Sequence, residues 1–153
     1  MLGDKKIIIL GIIDKNGKSY KDLSRRIVAH QKVVAKLIKE KTCVIGRKTQ
    51  ELTGWKGPGL WVLTKKKKWT RQKVNITHSI DDLRLHAEGD SIYVLGGSSV
   101  AIQFEPYADE YMFWTINSSD GNEEWPTVQA SKFTPIDYNT ESNWSFAHYK
   151  RNY

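Results

Sequence analysis

With one cysteine in 153 residues, Cys43, the chain cannot form an internal disulfide. Cys43 stands inside an apolar run and reads as a small buried hydrophobe, a usage that fits a reducing cytosol. No apolar stretch approaches the roughly 20 residues needed to cross a bilayer. The N-terminus passes from Asp4-Lys5-Lys6 straight into a strand-like run, so no signal peptide is expected. Linkers, internal repeats and low-complexity tracts are also missing. Acidic residues are scarce in the first half. Residues 1–78 hold 20 Lys and Arg against 5 Asp and Glu, a net of +15, whereas residues 79–142 hold 2 against 12, a net of −10. Lys150 and Arg151 bring the total to +7. Such a positive half favours a polyanion, meaning a phosphorylated cofactor or nucleic acid, although a solvated lysine surface is the simpler reading for most of these side chains.

What is present is 17.6 kDa of chain with 39% hydrophobic and 11% aromatic residues. That is enough for one globular domain over residues 1–153 with a real core. The most informative stretch is Cys43-Val44-Ile45-Gly46-Arg47-Lys48-Thr49-Gln50-Glu51. Three apolar residues end at a glycine, and a basic pair with a threonine follows, which predicts a short buried strand turning into a helix. The first turn of such a helix has unpaired N–H groups, and Arg47 and Lys48 add charge, so the corner suits a phosphate. A second corner of the same kind ends at Gly96-Gly97-Ser98-Ser99-Val100. Singly each is weak, because glycine is needed in many tight turns. Together they suggest one extended, phosphate-bearing ligand across the ends of a sheet.

Ile7 to Ile13 predicts a central strand buried on both faces, closed by the turn Asp14-Lys15-Asn16-Gly17. Residues 18–24 read as loop. Helical periodicity runs from Arg25 to Lys39, with Ile27, His30, Val34 and Leu37 on one face. His30 therefore points inward, where most histidines are core residues rather than catalytic ones. A helix to Leu52, the loop Gly54–Gly59 and a strand Leu60–Thr64 follow. The run Lys65-Lys66-Lys67-Lys68-Trp69-Thr70-Arg71-Gln72-Lys73 could contact nucleic acid by charge and stacking, but reads more simply as an exposed loop. Val74 to His78 alternates as an edge strand, and Ser79 caps a helix with Asp81 and Asp82 in its first turn. After the second corner come a helix to Phe104, a strand Glu110–Asn117, a polar loop Ser118–Glu124 and a hairpin of Lys132–Tyr138 with Trp144–Arg151. The count is about eight strands and four helices, an α/β arrangement in three layers.

In order and spacing these segments resemble the dihydrofolate reductase family over nearly the whole chain. The resemblance rests on Ile13-Asp14-Lys15-Asn16-Gly17, Val44-Ile45-Gly46-Arg47-Lys48-Thr49, Leu63-Thr64-Lys65 and Ile76-Thr77-His78-Ser79-Ile80-Asp81-Asp82-Leu83. It continues in Val94-Leu95-Gly96-Gly97, Pro106-Tyr107-Ala108-Asp109-Glu110 and the terminal Trp144-Ser145-Phe146-Ala147-His148-Tyr149-Lys150-Arg151. It implies an eight-stranded, mostly parallel sheet with a C-terminal antiparallel hairpin, and NADPH as cofactor. Arg47, Lys48, Thr49, Thr64 and Lys65, beyond Gly46, would take the adenosine-side phosphates. Gly96, Gly97, Ser98, Ser99 and Val100 would cradle the pyrophosphate.

The folate half departs from the family's pattern. No Leu-Pro-Trp loop precedes the first helix. The position of the family's catalytic acid falls on His30 without gaps, or on Asp22 of Asp22-Leu23 with an insertion. The position of the tail-binding arginine falls near Pro58, the buttressing threonine at Trp114, and a tyrosine beside the nicotinamide at Ala101. Ile9, Val34 and Trp114 join His30 as expected substrate contacts, and no metal site is assigned. The resemblance thus implies a divergent NADPH-dependent reductase of dihydrofolate or a related pterin, monomeric, cytoplasmic and off the membrane, with only weak, non-specific nucleic-acid binding. The lysine- and tryptophan-rich style would suit a phage-encoded member. The alternatives are a riboflavin-pathway-type reductase of another heterocycle and a non-catalytic binding protein on the same fold.

Overall fold

A computed structural model describes residues 5–22 and 27–153. Strand β1, Lys6–Ile13, lies near the middle of an eight-stranded sheet and pairs in parallel with two neighbours. These are β5 (Ser91–Gly96) and β6 (Glu110–Ile116). The remaining strands are β2 (Cys43–Gly46), β3 (Leu60–Leu63), β4 (Asn75–Thr77), β7 (Phe133–Thr140) and β8 (Trp144–Arg151), giving the order β4-β3-β2-β5-β1-β6-β8-β7. Pairing is parallel from β4 to β6 and antiparallel through β8 and β7. The expected mostly parallel sheet with a terminal hairpin is what forms, and the hairpin's first strand runs two residues past Tyr138.

Because β1 is covered on both faces, its side chains divide by the two-residue period of a strand. Ile7 and Ile9 enter a core with Val94, Val100, Phe104 and Tyr111. Ile8, Leu10 and Ile12 enter the opposite core with Val34, Ile38 and Trp114. Helix α1, Val28–Glu40, supplies Val34 and Ile38 to that second face. Its buried positions are His30, Val34 and Ile38, a strict i, i+4, i+8 stripe, while Leu37 is only half buried. The expected start at Arg25 lies outside the described residues. Helices α2 (Arg47–Thr53), α3 (Ile80–His86) and α4 (Ser98–Phe104) follow β2, β4 and β5. The Ser79 side chain caps α3 by accepting the Asp82 N–H at 3.0 Å. Gly54 ends α2 in the left-handed region, at φ 68°, where a side chain would be strained.

Two segments expected as simple loops are tied together at the end of β1. Asp14, buried, accepts the Asn16 and Lys18 N–H groups on Oδ1 at 2.8 and 3.0 Å, and that of Gly121 on Oδ2 at 2.9 Å. Ser19 forms an antiparallel bridge with Glu123 and donates its hydroxyl to Ile12 O at 2.6 Å. Lys18 pairs with Glu124, and the Tyr20 hydroxyl meets Ser118 Oγ at 2.6 Å. Residue 121 must be glycine here, since a Cβ would stand 2.7 Å from both Lys18 Cβ and Lys18 O.

Burial by itself would raise the Asp14 carboxyl, but the three backbone N–H donors outweigh it and hold it below the ordinary carboxylate range. A carboxyl depressed in the folded state stabilises the fold above its unfolded value, about pH 4, and that contribution is lost as pH falls through the folded value. Asp14→Asn should therefore cost about 2 kcal/mol at pH 7 in urea unfolding, because the amide nitrogen cannot accept. It should also flatten the acid limb of the stability profile. A change under about 0.5 kcal/mol would mean that the clasp contributes no more than an ordinary surface contact.

Candidate functional site

The two glycine corners meet in space. Strands β2 and β5 are paired neighbours, with Ile45 opposite Gly96. Gly46 opens α2 and the Gly96–Gly97 peptide, which is cis, leads into α4. A Cβ on Gly46 would stand 3.1 Å from Val100 Cγ2, and one on Gly97 would stand 3.0 Å from Thr49 Oγ1. Each corner is thus packed against the helix that grows from the other. Side chains here would close the space between them.

That space is part of one cleft of about 750 Å³. At one end it is walled by Arg47, Lys48, Thr49, Thr64 and Lys65, with Gly46 between the corners and Gly97, Ser98, Ser99 and Val100 along the next stretch. Both α2 and α4 are only seven residues long, so the side-chain charges supply more of the field than an aligned helix dipole. Thr64 is buried, its hydroxyl accepts the Lys66 N–H at 3.1 Å, and its carbonyl lies 2.7 Å from His78 Nδ1. With that carbonyl as partner, Nδ1 of His78 carries the proton.

The far end of the cleft is lined by Gly11, Ile12, Tyr20, Asp22, His30, Trp55 and Trp125. His30 is 5% exposed, and its ring stands edge-on to Trp114 with centroids 5.0 Å apart. Asp22 is exposed at the mouth. The cleft therefore contains both alternatives for the acid position, one at its floor and one at its rim; Leu23 lies outside the described residues.

Other expected contacts sit elsewhere. Ile9 is completely buried in the core on the α4 face and does not line the cleft, because residues 9 and 12 of an extended strand point to opposite faces. Trp114 stands behind His30 rather than at the cleft wall. Gly96 shapes the corner through its backbone, at φ 124°, but does not line the cleft. Val34 lines a second groove of about 610 Å³, with Ile38, Lys39, Trp55, Lys56 and Pro58. Trp55 belongs to both spaces and so joins the groove to the cleft. Its backbone carbonyl accepts Gln50 Nε2–H at 3.1 Å, which seats the 54–59 loop on α2.

Periodicity alone misses Trp125, Trp55, His78 and Gln103, all of which line the cleft. For Trp125 a signal did exist. Gly11 interrupts an otherwise aliphatic strand, and a glycine in mid-strand marks a close approach. The approaching group is the Trp125 indole, which a Gly11 Cβ would meet at 2.3 Å. The basic run behaves differently from a stacking surface. Lys65 to Lys68 are exposed, but Trp69 is half buried against the core, donates its N–H to Glu51 at 3.3 Å and carries Arg71 over its ring at 5.4 Å.

A family model described as dihydrofolate reductase matches residues 8–151. Comparison with curated proteins gives no match. Among solved structures, the chain is similar to the dihydrofolate reductase from Enterococcus faecalis in its complex with NADP(H) and RAB-propyl. The identity is 22%, the TM-score 0.80, and the match covers 100% of this chain and 99% of that one. At that identity the likeness shows the fold.

The Gly11–Trp125 contact gives a direct test of the packing around the cleft. Gly11→Ala should displace the indole and cost about 1–3 kcal/mol, the usual range for an overpacked site. Trp125→Leu in the same chain should recover part of the loss, because the obstructing atoms are gone. Strictly additive effects in denaturant unfolding would show that the two residues do not touch.

Proposed function

Since the chain belongs to the dihydrofolate reductase family, we propose that its cleft binds NADPH and a dihydropterin and that it is a divergent, slow NADPH-dependent reductase of dihydrofolate or a related pterin. The observation that carries this reading is the convergence of both glycine corners on one cleft, basic at one end and holding His30 and Asp22 at the other. The fit of a dinucleotide is supported by the interlocked corners. Gly46 and Gly97 let the two corners pack closely and leave backbone rather than side chain along the cleft. Arg47, Lys48, Thr49, Thr64 and Lys65 would hold the adenosine-side phosphates, and the Gly97–Val100 turn the pyrophosphate. When bound, NADPH supplies a hydride.

The protein's own part is to orient the partners, exclude water and deliver a proton. His30 at the floor is the group we assign to the proton, with Asp22 at the rim as a solvent-side neighbour. Charging a buried imidazole edge-on to Trp114 costs free energy, which is the basis for the slow turnover we assign. The second groove suits an apolar extension of the substrate. Lys39 and Lys56 stand where a carboxylate would be met, without the bidentate grip of an arginine. The seating of Trp69 favours this small-molecule reading over the nucleic-acid one, for which we keep only weak, non-specific, salt-sensitive contact through Lys65 to Lys68. A reductase of another heterocycle remains the second reading, favoured by the missing Leu-Pro-Trp loop and tail-binding arginine.

NADPH should bind about tenfold or more tightly than NADH, since one charge-assisted contact to the extra phosphate contributes about 1.5–3 kcal/mol. Fluorescence titration of the purified protein measures this, and equal affinities would remove the cofactor reading. Dihydrofolate reduction followed by absorbance should quicken as pH falls. His30→Asp should raise the rate at pH 7, and Asp22→Asn should change it little. Activity abolished by Asp22→Asn, with His30→Asp only destabilising, would assign the proton to Asp22 and leave His30 in the core.

A further inference from the structure

Between residues 41 and 78 the chain has a single acidic side chain, Glu51, and it stands behind the cleft wall, bonded to Arg47, which lines the cleft. One turn along α2 from Arg47, it accepts the Arg47 Nη1–H at 2.7 Å on Oε1. Its Oε2 accepts the Trp69 indole N–H at 3.3 Å and lies 3.6 Å from Arg71 Nη2. One carboxylate therefore joins α2 to the 65–73 segment and engages two guanidinium groups. The Arg47 side chain is 20% exposed and Glu51 37%, so solvent screens this pair only in part. Each anion that approaches Arg47 must share it with a negative charge already in place.

We propose that Glu51 is a positioning residue that sets how strongly the site prefers a dinucleotide carrying an extra phosphate. Bonded to Arg47 and close to Arg71, its carboxylate offsets part of their charge, so the preference stays below what the basic cluster would give without it. This rests on the reading that the adenosine-side phosphate of NADPH lies against Arg47. NADH, which lacks that phosphate, is the internal control.

The test is titration of NADPH and NADH against the unsubstituted protein, Glu51→Gln and Glu51→Ala, with the melting temperature of each. Both substitutions remove the negative charge that Arg47 already carries as its partner. Each should tighten NADPH by roughly three- to tenfold and leave NADH within about twofold. Two side chains of different size giving the same shift would tie it to the charge. A merely structural role would weaken both dinucleotides together and lower the melting temperature without moving their ratio, which would overturn the proposal. So would weaker NADPH binding in both variants at unchanged NADH affinity. If the unsubstituted protein binds neither dinucleotide, the cofactor reading itself fails and the role of Glu51 falls with it. If it prefers NADPH and the ratio is unmoved in both variants, only the role of Glu51 fails.

Discussion

The parallel pairing of β2 with β5 is the constraint on which the site depends. It sets Ile45 against Gly96 and so brings two strand-to-helix corners side by side at the same edge of the sheet. Parallel strands are joined by crossovers, so both chains leave the sheet in the same direction and both helices start at the same end. Gly46 and Gly97, which carry no side chain, let the corners approach closely. Val100 and Thr49 take the space those side chains would need. Both corners therefore line one cleft.

The mouth of that cleft is governed by the Asp14 clasp. The end of β1 holds the 15–20 turn and the loop at Gly121 with one buried carboxylate, and the Ser19–Glu123 bridge continues the contact. From there Glu124 O accepts the Ser98 hydroxyl at 2.6 Å, which ties the same loop to the start of α4. Trp125 follows, laid across Gly11. The segments at the mouth are therefore tied to the Gly96–Gly97 corner. Asp14 and Gly121, which do not line the cleft, still shape where Ser19 and Tyr20 stand on its wall.

Charge is distributed with the same economy. The basic half of the chain spends some cations on structure, as where Lys6 pairs with the buried Glu110 at 2.9 Å, and that carboxylate also meets His148 Nε2 at 2.6 Å. At the cleft, Arg47 is matched by Glu51, while Lys48 and Lys65 line the wall beside it. Lys65 to Lys68 stay in solvent. A net charge of +15 over residues 1–78 thus includes structural ion pairs, a basic stretch of cleft wall and a solvated rim.

Much of this was legible in the chain because its causes are local. The aliphatic run of β1, the Ser79 cap, the two glycine corners and the alternating hairpin each depend on residues a few positions apart, within reach of a period or a turn. The basic wall of Arg47, Lys48, Thr64 and Lys65 was legible for the same reason, since it grows directly out of two strand ends. What the tertiary structure alone decided depends on which face of the sheet meets which helix. Alternation says that Ile7 and Ile9 share a face, but not that α1 covers the other one, so Ile9 could not be separated from His30 by pattern. Nor can periodicity bring Asp14 to Gly121 or Trp125 to Gly11, because those contacts join segments far apart in the chain. Such contacts follow from strand order, which is set by how the whole core packs rather than by any local stretch of residues.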